Sequence, residues 1–386
     1  MTDKIAAHHA KTSGVAPRRR SEAHKTAGTQ GRPRGDGRGS TKTQSVRKGD
    51  REKAAKKRVL VVGSLNADLV VRVTHFPTPG ETVPGTDFTI HPGGKGANQA
   101  CAAARLGARV SMIGRVGADL NGRLLDSSLV AAGVDTSGVI EDAAAPTGTA
   151  LITLDASGQN EIVIVPGANG RLSPDDVERS RPLFEDAELV LLQLEVPLET
   201  IETAARVARA AGALVILDPA PARIEALRLL PLCDYVTPNR TELALLAGHD
   251  AEANPGRSTL ELSTELAVEL LGRGAQHVIA KLGAEGALLV GAGTEHFWRG
   301  RRVQVVDTTA AGDVWNGAFA AALVAGANPE QAGHFANAAA ALSVTRAGAQ
   351  PSMPTGPEVE AFMRTPAPER RDPPKTPSRK RRSSAS

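Results

Sequence analysis

Apolar positions along the chain follow a pattern of short runs that alternate with longer Ala-rich, amphipathic segments. The short runs predict buried strands, and they fall at 59–62, 110–113, 189–194, 214–217 and 278–281. The longer segments predict helices at 96–106, 120–132, 198–211, 241–247 and 259–273. Continuous apolar strands separated by helices are typical of a doubly wound α/β fold, in which a mostly parallel sheet carries helices on both faces.

One region departs from this alternation. Residues 149–154 and 161–165 read as strands, and they flank the turn Asp155-Ala156-Ser157-Gly158 with no helix between them. This is the signature of a β-hairpin. Together with 88–90 it predicts a small β-sheet that stands off the main body, whereas the segment containing Asn66 and Asp68 is predicted to be a loop.

Both ends of the chain differ in composition from its centre. Residues 1–57 hold 16 Lys/Arg and 5 Asp/Glu, and residues 364–386 hold 8 Lys/Arg and 2 Asp/Glu. Because the whole chain has a net charge of +4, the central residues 58–363 carry a net charge of −13. The ends are rich in Gly, Pro, Ser and Thr, and they predict a disordered basic extension and a disordered basic tail. We expect mainly solvated tails, with weak binding to polyanions as the alternative; a transit peptide is disfavoured because no apolar face accompanies the charge.

Composition narrows the function classes. The 386 residues are 41% apolar but only 3% aromatic, so the core must be packed from Ala, Val and Leu. There is no apolar run long enough to span a bilayer and no apolar stretch typical of a secretory signal. Cys101 and Cys233 are the only cysteines, which excludes a disulfide framework and favours a reducing cytoplasm.

Polar residues follow the predicted strands at the edge where ligands of open α/β sheets bind. Asn66 and Asp68 come after the first strand, and Glu195 ends the strand at 189–194. Amide and carboxylate groups in pairs suit vicinal hydroxyls, although Asn and Asp also form turns without any ligand.

A Gly-rich turn at 93–98 adds further donors near this edge. It contains Gly94, Lys95, Gly96 and Asn98, and its glycines would let a ligand approach the backbone closely. The spacing is not that of a Walker loop, and no GxGxxG follows the first strand. Alone, the turn is weak evidence for a binding site.

The stretch 307–313 opens a long Ala-rich helix and carries the most specific signal. Its backbone N–H groups at Ala310, Ala311 and Gly312 predict a site for anionic oxygens at a helix start. Asp313 then stands beside that site as a candidate general base. The alternative is that Asp313 only caps the helix.

Three further segments complete the candidate chemistry. Asn239 and Glu242 form a capping box, or else an amide and an acid near a magnesium–phosphate centre. The turn 281–286, with Lys281, Gly283, Glu285 and Gly286, suits contact with a nucleotide. The irregular loop 345–352 offers carbonyl groups to a cation.

Taken together, these segments resemble the ribokinase-like PfkB family of carbohydrate kinases over residues 59 to about 363. The motifs occur in the family's order and spacing, at 63–68, 76–83, 93–100, 239–242, 307–313 and 348–352. The resemblance implies a kinase domain at 58–363, with a lid at about 81–92 and 147–166 that covers the sugar and builds a homodimer.

The resemblance also implies an activity and a role for each matching residue. The activity would be ATP-dependent phosphorylation of D-ribose at O5 with Mg²⁺, activated by K⁺ or another monovalent cation. The sugar would be held by Asn66, Asp68, Gly94, Lys95, Gly96, Asn98 and Glu195, with Asp313 as base and the amides of Ala310, Ala311 and Gly312 as anion hole. ATP would contact Asn239, Lys281, Gly283, Glu285, Gly286, Gly312 and Asn337, and Glu242 would belong to the Mg²⁺ motif. The monovalent cation would be held by Asp307, Thr309, Ser343, Arg346, Gly348 and Ser352.

Two alternatives stay open. Another kinase of this fold could act on 2-deoxyribose, fructose or adenosine, because discrimination by one hydroxyl depends on the pocket's detailed geometry. The second alternative is a nucleic-acid-associated protein that binds through its basic tails. The net charge of −13 on residues 58–363 argues against it, because nucleic acids are also negatively charged.

Overall fold

A nine-stranded sheet and a four-stranded sheet organise the part of the chain that the computed structural model describes, residues 58–250 and 258–365. The predictions for the two tails fall on 1–57 and 366–386 and lie outside these residues. The strands are β1 (Arg58–Val62), β2 (Asn66–Arg72), β3 (Asp87–Gly93), β4 (Arg109–Gly117), β5 (Val134–Asp142), β6 (Gly148–Leu154), β7 (Asn160–Val165), β8 (Leu189–Leu192), β9 (Leu214–Leu217), β10 (Tyr235–Val236), β11 (His277–Lys281), β12 (Gly286–Gly291) and β13 (Thr294–Arg299).

Helices separate most of the strands of the large sheet. They are α1 (Lys95–Arg105), α2 (Leu120–Ala131), α3 (Pro174–Arg179), α4 (Arg181–Glu185), α5 (Leu198–Ala210), α6 (Arg240–Ala247), α7 (Thr259–Gly272), α8 (Ala311–Val324), α9 (Pro329–Ser343) and α10 (Gly356–Arg364). Short 3₁₀ turns occupy Gly167–Arg171, Ile224–Leu232, Gly283–Glu285 and Gln350–Ser352. The last helix ends at Arg364, one residue beyond the predicted domain boundary.

The large sheet has the order β13-β12-β11-β10-β9-β8-β1-β4-β5, parallel except for antiparallel pairs at β11/β12 and β12/β13. Alternate residues of β1 face opposite sides: Leu60 belongs to one apolar core and Val61 to the other. The first core includes residues of α5, α6 and α7, and the second includes residues of α1, α2, α8 and α9. The predicted doubly wound sheet with helices on both faces is therefore confirmed.

Small residues replace aromatic ones where helices approach most closely. A Cβ added to Gly317 in α8 would lie 2.7 Å from Cβ of Ala102 in α1. Such close contact fills the interior without large rings, as the Ala-rich composition requires. It also holds the first half of α8 against α1, which matters for the site below.

The small sheet has the order β3-β2-β6-β7, with β2 and β6 parallel and the other two pairs antiparallel. The prediction of a loop at Asn66 and Asp68 was wrong, because both residues lie in β2 at the centre of this sheet. Only residues 63–65 separate β1 from β2, so a single run of chain passes from one sheet into the other. A strand that begins Asn-Ala-Asp does not show the apolar run or clean alternation by which strands are recognised.

The strand predicted at 189–194 is shorter, since β8 ends at Leu192. None of the helices described in 58–250 and 258–365 has the length and apolar character needed to cross a membrane.

Candidate functional site

Polar side chains converge where the first strand of the large sheet passes into the small sheet. Residue Asn66 pairs with Gly93 across β2 and β3, which brings the predicted Gly-rich turn beside the predicted Asn–Asp pair. The carboxylate of Asp68 lies directly against the turn, since a Cβ on Gly93 would be only 2.1 Å from its Oδ2 atom. Gly94 has φ +88°, and a Cβ there would lie 2.6 Å from the Asn66 nitrogen. Glycine is thus required at position 94, whereas a side chain at position 93 would displace the Asp68 carboxylate.

Glu195 joins this group from the segment that follows β8, the strand that pairs directly with β1. Its Oε2 atom accepts hydrogen bonds from the Lys95 backbone N–H at 3.1 Å and from the Ser64 hydroxyl. The side chain of Asn66 is held in place by Asn169, whose Nδ2 donates to Asn66 Oδ1 at 2.8 Å. The structure therefore brings Asn66, Asp68, Lys95 and Glu195 close together, and their role in holding a sugar stays a prediction.

Charges are concentrated in this region. Burial, and then the negative charges of Glu195 and Asp313, raise the pKa of Asp68 to about 7. Burial alone would lower the pKa of Lys95, but the surrounding carboxylates, Asp313 first among them, raise it above its usual range. The Lys95 ammonium thus stays charged and compensates an otherwise acidic pocket.

Asp313 lies in the first turn of α8 and is buried. Its Oδ2 accepts from Asn98 Nδ2 at 3.0 Å, and its Oδ1 accepts from Gln99 Nε2 at 3.1 Å. Burial raises its pKa to about 6, with Lys95 acting in the opposite direction. A carboxylate held in one orientation, with a pKa close to neutral, suits proton transfer.

A buried chain of hydrogen bonds extends from Asp313 toward β11. Gln99 Nε2 also donates to Asp218 Oδ2 at 2.9 Å, and Lys281 Nζ donates to Asp218 Oδ1 at 2.8 Å. On its other side, Gln99 Oε1 accepts from Gln193 Nε2 at 2.7 Å. Lys281 is therefore tied to the interior of the site as well as to the turn that follows it.

Sequence reasoning missed Asp218, Gln99 and Asn169. Asp218 directly follows the apolar strand β9, so the rule that selected Glu195 would have found it as well. Gln99 and Asn169 carry no such signal, because each acts through partners more than 100 residues away in sequence.

The start of α8 has an unusual backbone. Ala310, the N-cap residue, has φ +59° and is the sole non-glycine residue with positive φ within 58–250 and 258–365. Such strain clusters at functional sites. The amide of Ala311 donates to Thr308 O at 3.2 Å, so one of the three predicted anion-binding N–H groups already has a partner.

A cavity of about 470 Å³ lies beside this helix start. Its lining includes Gly312, Lys281, Gly283, Gly286 and Asn337, all predicted to contact a nucleotide. Asn337 does not offer a free amide, because its Oδ1 accepts from Trp315 Nε1 at 2.8 Å and its Nδ2 donates to Trp298 O at 2.9 Å. Among the predicted residues, Glu285 lines a neighbouring cavity of about 940 Å³ instead.

Asn239 and Glu242 form the capping box that the sequence predicted. The Glu242 backbone N–H donates to Asn239 Oδ1 at 2.9 Å, and the Asn239 N–H donates to Glu242 Oε2 at 2.7 Å. Asn239 is absent from the lining of both cavities. Burial, and then the charge of Asp218, raise the pKa of Glu242. Glu242 and Asp218 are thus two acidic groups that a divalent cation would stabilise.

Asp307 joins two loops at the other end of the 307–313 stretch. Its Oδ1 accepts from the Thr309 N–H at 2.9 Å and the Thr309 hydroxyl at 2.6 Å, and its Oδ2 accepts from Gly348 N–H at 2.8 Å. Burial would raise the pKa of Asp307, but these hydrogen bonds hold it below its usual value.

Three other predicted cation ligands, Ser343, Arg346 and Ser352, have side chains that bind protein groups other than Asp307. The hydroxyls of Ser343 and Ser352 donate to the carbonyls of Ala340 and Ala349, at 2.9 and 2.8 Å. Arg346 pairs with Glu358 at 2.7 Å. Any contribution from these three residues to a cation would therefore come mainly from backbone carbonyls.

Comparison with known proteins gives one consistent result. A model of the pfkB family of carbohydrate kinases matches residues 56–356. A ribokinase of Haemophilus influenzae is 40% identical over 308 residues, which is 80% of this chain and 99% of the relative. A deoxyribokinase of Salmonella typhimurium is 36% identical over 77% of this chain and 95% of the relative. The solved structure of an Arabidopsis thaliana ribokinase complexed with ribose and ATP has a TM-score of 0.73 at 35% identity, and the match covers 81% of this chain and all of that one.

Proposed function

Because this chain belongs to the pfkB family of carbohydrate kinases, we propose that it transfers the γ-phosphoryl group of ATP to O5 of D-ribose, giving D-ribose 5-phosphate. The observation that carries this proposal is the position of Asp313. It is hydrogen-bonded to Asn98 of the hydroxyl-binding group, while its neighbour Gly312 lines the 470 Å³ cavity. One carboxylate thus adjoins both proposed substrates.

The sugar is held by groups that match hydroxyls. Asn66, Asp68 and Glu195 supply acceptors, and Lys95 and Asn98 supply donors, all in a region that the small sheet borders. Such pairing favours a small polyhydroxylated substrate over an apolar one. Gly94 and Gly96 allow the sugar to approach the backbone.

The transfer step is mainly a matter of positioning and charge. The O5 oxygen attacks the γ-phosphorus, the bond between that phosphorus and the β–γ bridging oxygen breaks, and the O5 proton moves to Asp313. The amides of Ala310 and Gly312 and the start of α8 would stabilise the charge that builds up on the γ-oxygens, and the Ala311 N–H would join them on leaving the Thr308 carbonyl. Asn98 and Gln99 keep the Asp313 carboxylate oriented for the proton.

The residues present also fit the expected nucleotide and cations. The cavity beside Gly312 and Lys281 has the size of a small-ligand site, and Lys281 places a positive charge at its edge. Asp218 and Glu242 suit Mg²⁺, which would neutralise phosphate charge when bound. Asp307 and the carbonyls around Gly348 suit a monovalent cation such as K⁺.

A homodimer through the small sheet is part of the proposal. One face of this sheet carries Ile90, Leu151 and Val163 in a row across the strands, with Leu69 of β2 between the first two, and the three are 42–60% exposed. Contiguous exposed apolar residues on a sheet mark an interaction surface. Val163→Lys should shift the protein toward monomer in light scattering, and an unchanged mass would refute this interface.

Phosphorylation of 2-deoxyribose is the second candidate, because a deoxyribokinase is among the relatives. Measurement of kcat/KM with ATP and D-ribose, 2-deoxyribose, fructose and adenosine distinguishes these activities. We expect the highest value for D-ribose. A higher value for 2-deoxyribose would replace ribose with the second candidate, and no turnover of any of the four would contradict the proposal.

Location in the cytoplasm fits the thiols, since Cys101 and Cys233 are both buried and unpaired by disulfides. We propose that any polyanion binding resides in the basic ends of the chain. Such binding should weaken steeply as the salt concentration rises, whereas kinase activity should depend much less on the salt concentration.

A further inference from the structure

Three metal-ligating side chains lie together at the edge of the large sheet. His296 belongs to the edge strand β13, and Glu330 and His334 lie one turn apart on the first half of α9. One ligand atom from each residue can be chosen so that all three atoms are within 4.8 Å of one another. None of the three has a role in the proposed phosphoryl transfer.

One nitrogen of the partly buried His296 imidazole lacks the partner that a buried polar atom normally has. Its Nε2 atom is buried and has no hydrogen bond within the described part of the chain, and its Nδ1 atom lies 3.8 Å from Glu330 Oε1. The ring of His334 is 5.7 Å away and nearly perpendicular to it. Buried polar atoms without partners are rare enough in folded proteins to call for an explanation.

We infer that His296, Glu330 and His334 bind a transition-metal dication of the zinc class. Two imidazoles and one carboxylate are the ligand set that Zn²⁺ accepts, with water completing a tetrahedron. Bonds of about 2.0–2.1 Å place tetrahedral ligand atoms about 3.3 Å apart, so the three atoms need to close by up to about 1.5 Å. Glu330 and His334 are exposed and free to make this movement.

The ligand set separates this site from the one proposed for Mg²⁺. Magnesium prefers oxygen ligands and retains its waters, whereas imidazole favours later first-row metals. A metal here would join β13 to α9, which are already linked by a hydrogen bond from Trp298 Nε1 to Glu330 O at 2.9 Å. Binding to the folded state alone should therefore raise the melting temperature with metal concentration.

The neighbouring tryptophan provides a local reporter. The chain has two tryptophans; the ring of Trp298 lies 5.1 Å from that of His296, and the ring of Trp315 lies 6.2 Å from that of Trp298. Paramagnetic Co²⁺ quenches indole fluorescence at short range. Titration of the full chain with Co²⁺ in excess Mg²⁺ should give saturable quenching, and Zn²⁺ should reverse it.

Variants make this test specific to the site. All should carry His8, His9 and His24 replaced by Gln, so that the N-terminal extension cannot supply imidazoles. His334→Ala should weaken Co²⁺ binding by at least about tenfold, since even loss of a group that only supports a ligand costs 10–100-fold. His249→Ala is the matched control, because His249 also pairs with a glutamate, Glu269, at 3.0 Å.

The second readout is thermal. Zn²⁺ should raise the melting temperature of the control and not that of His334→Ala, with both melting alike in EDTA. If quenching is absent at a large excess of Co²⁺, the inference is wrong. It is equally wrong if quenching persists unchanged in both His334→Ala and Glu330→Gln.

Discussion

Two halves of one short stretch, 307–309 and 310–313, hold carboxylates six residues apart in opposite environments. Asp307 lies in a loop, accepts hydrogen bonds from Thr309 and Gly348, and has a lowered pKa. Asp313 lies in a helix, is buried beside Asn98 and Gln99, and has a pKa raised to about 6. The same side chain is thus kept ionised in one half and made ready to exchange a proton in the other.

This contrast teaches that residue type alone does not assign a role. Backbone N–H groups stabilise the charged form of Asp307, whereas loss of water destabilises the charged form of Asp313. Their proposed functions, support of a cation and acceptance of a proton, follow from that difference. Four experiments test it, and the one with the largest expected effect comes first.

Replacement of the buried acid should have the strongest effect. Asp313→Asn keeps the shape but removes the proton acceptor, so kcat should fall by about 10²–10⁴-fold. Ribose binding, measured by calorimetry, should persist. Near-normal turnover would remove Asp313 from the role of base.

Replacement of Asp307, the partly buried acid, should act through the cation instead. Asp307→Asn retains one acceptor but loses the charge, so the K⁺ concentration for half-maximal activity should rise by about tenfold, the scale of a lost supporting ligand. The Asp313→Asn variant should keep the wild-type K⁺ dependence in its residual rate. Equal wild-type rates in sodium-only and potassium buffers would contradict the proposed cation site.

The pH profile should separate the two carboxylates further. A base is active when deprotonated, so kcat should fall about tenfold per unit as pH drops below about 6. Gln99→Leu removes a hydrogen bond that lowers the pKa of Asp313, and the acidic limb should therefore move to higher pH. An acidic limb that does not move would show that Gln99 does not tune this group.

The smallest effect concerns the residue between the halves. Ala310 adopts φ +59°, which costs an L-residue about 1–2 kcal/mol. Ala310→Gly should relieve this strain and raise the free energy of unfolding by about 1 kcal/mol, measured in urea. Ala322→Gly, within the same helix, is the control and should lower it by about 0.5–1 kcal/mol. Destabilisation by both variants would mean that the backbone at Ala310 is not strained.

Much of the fold could be predicted because apolar periodicity is a local property. The runs that became β1, β9 and β11 are continuous and apolar, and their alternation with helices leaves few possible topologies. The strand β2 could not be found in this way, since it begins with the polar residues Asn66 and Asp68, which belong to the candidate site. Local rules fail where a segment serves function as well as folding.

The candidate site likewise contains residues that could be predicted from the sequence and contacts that could not. Asp68, Lys95, Asp313 and the glycines around them could be selected from spacing and from the rule that ligands bind at strand ends. The hydrogen bonds of Asn337 to Trp298 and Trp315 could not, nor could the placement of Glu285 in a different cavity. These facts depend on contacts between elements distant along the chain.

By itself, the sequence determined the doubly wound sheet, part of the small sheet, and several of the acids and glycines that meet at their junction. Only the tertiary structure decided that Asp313 is buried with a raised pKa while Asp307 is not, and that Asp218 and Gln99 connect the base to Lys281. The reason is physical: periodicity and turns act between near neighbours, whereas the loss of water and the charges that shift a pKa come from whatever the fold packs around the group.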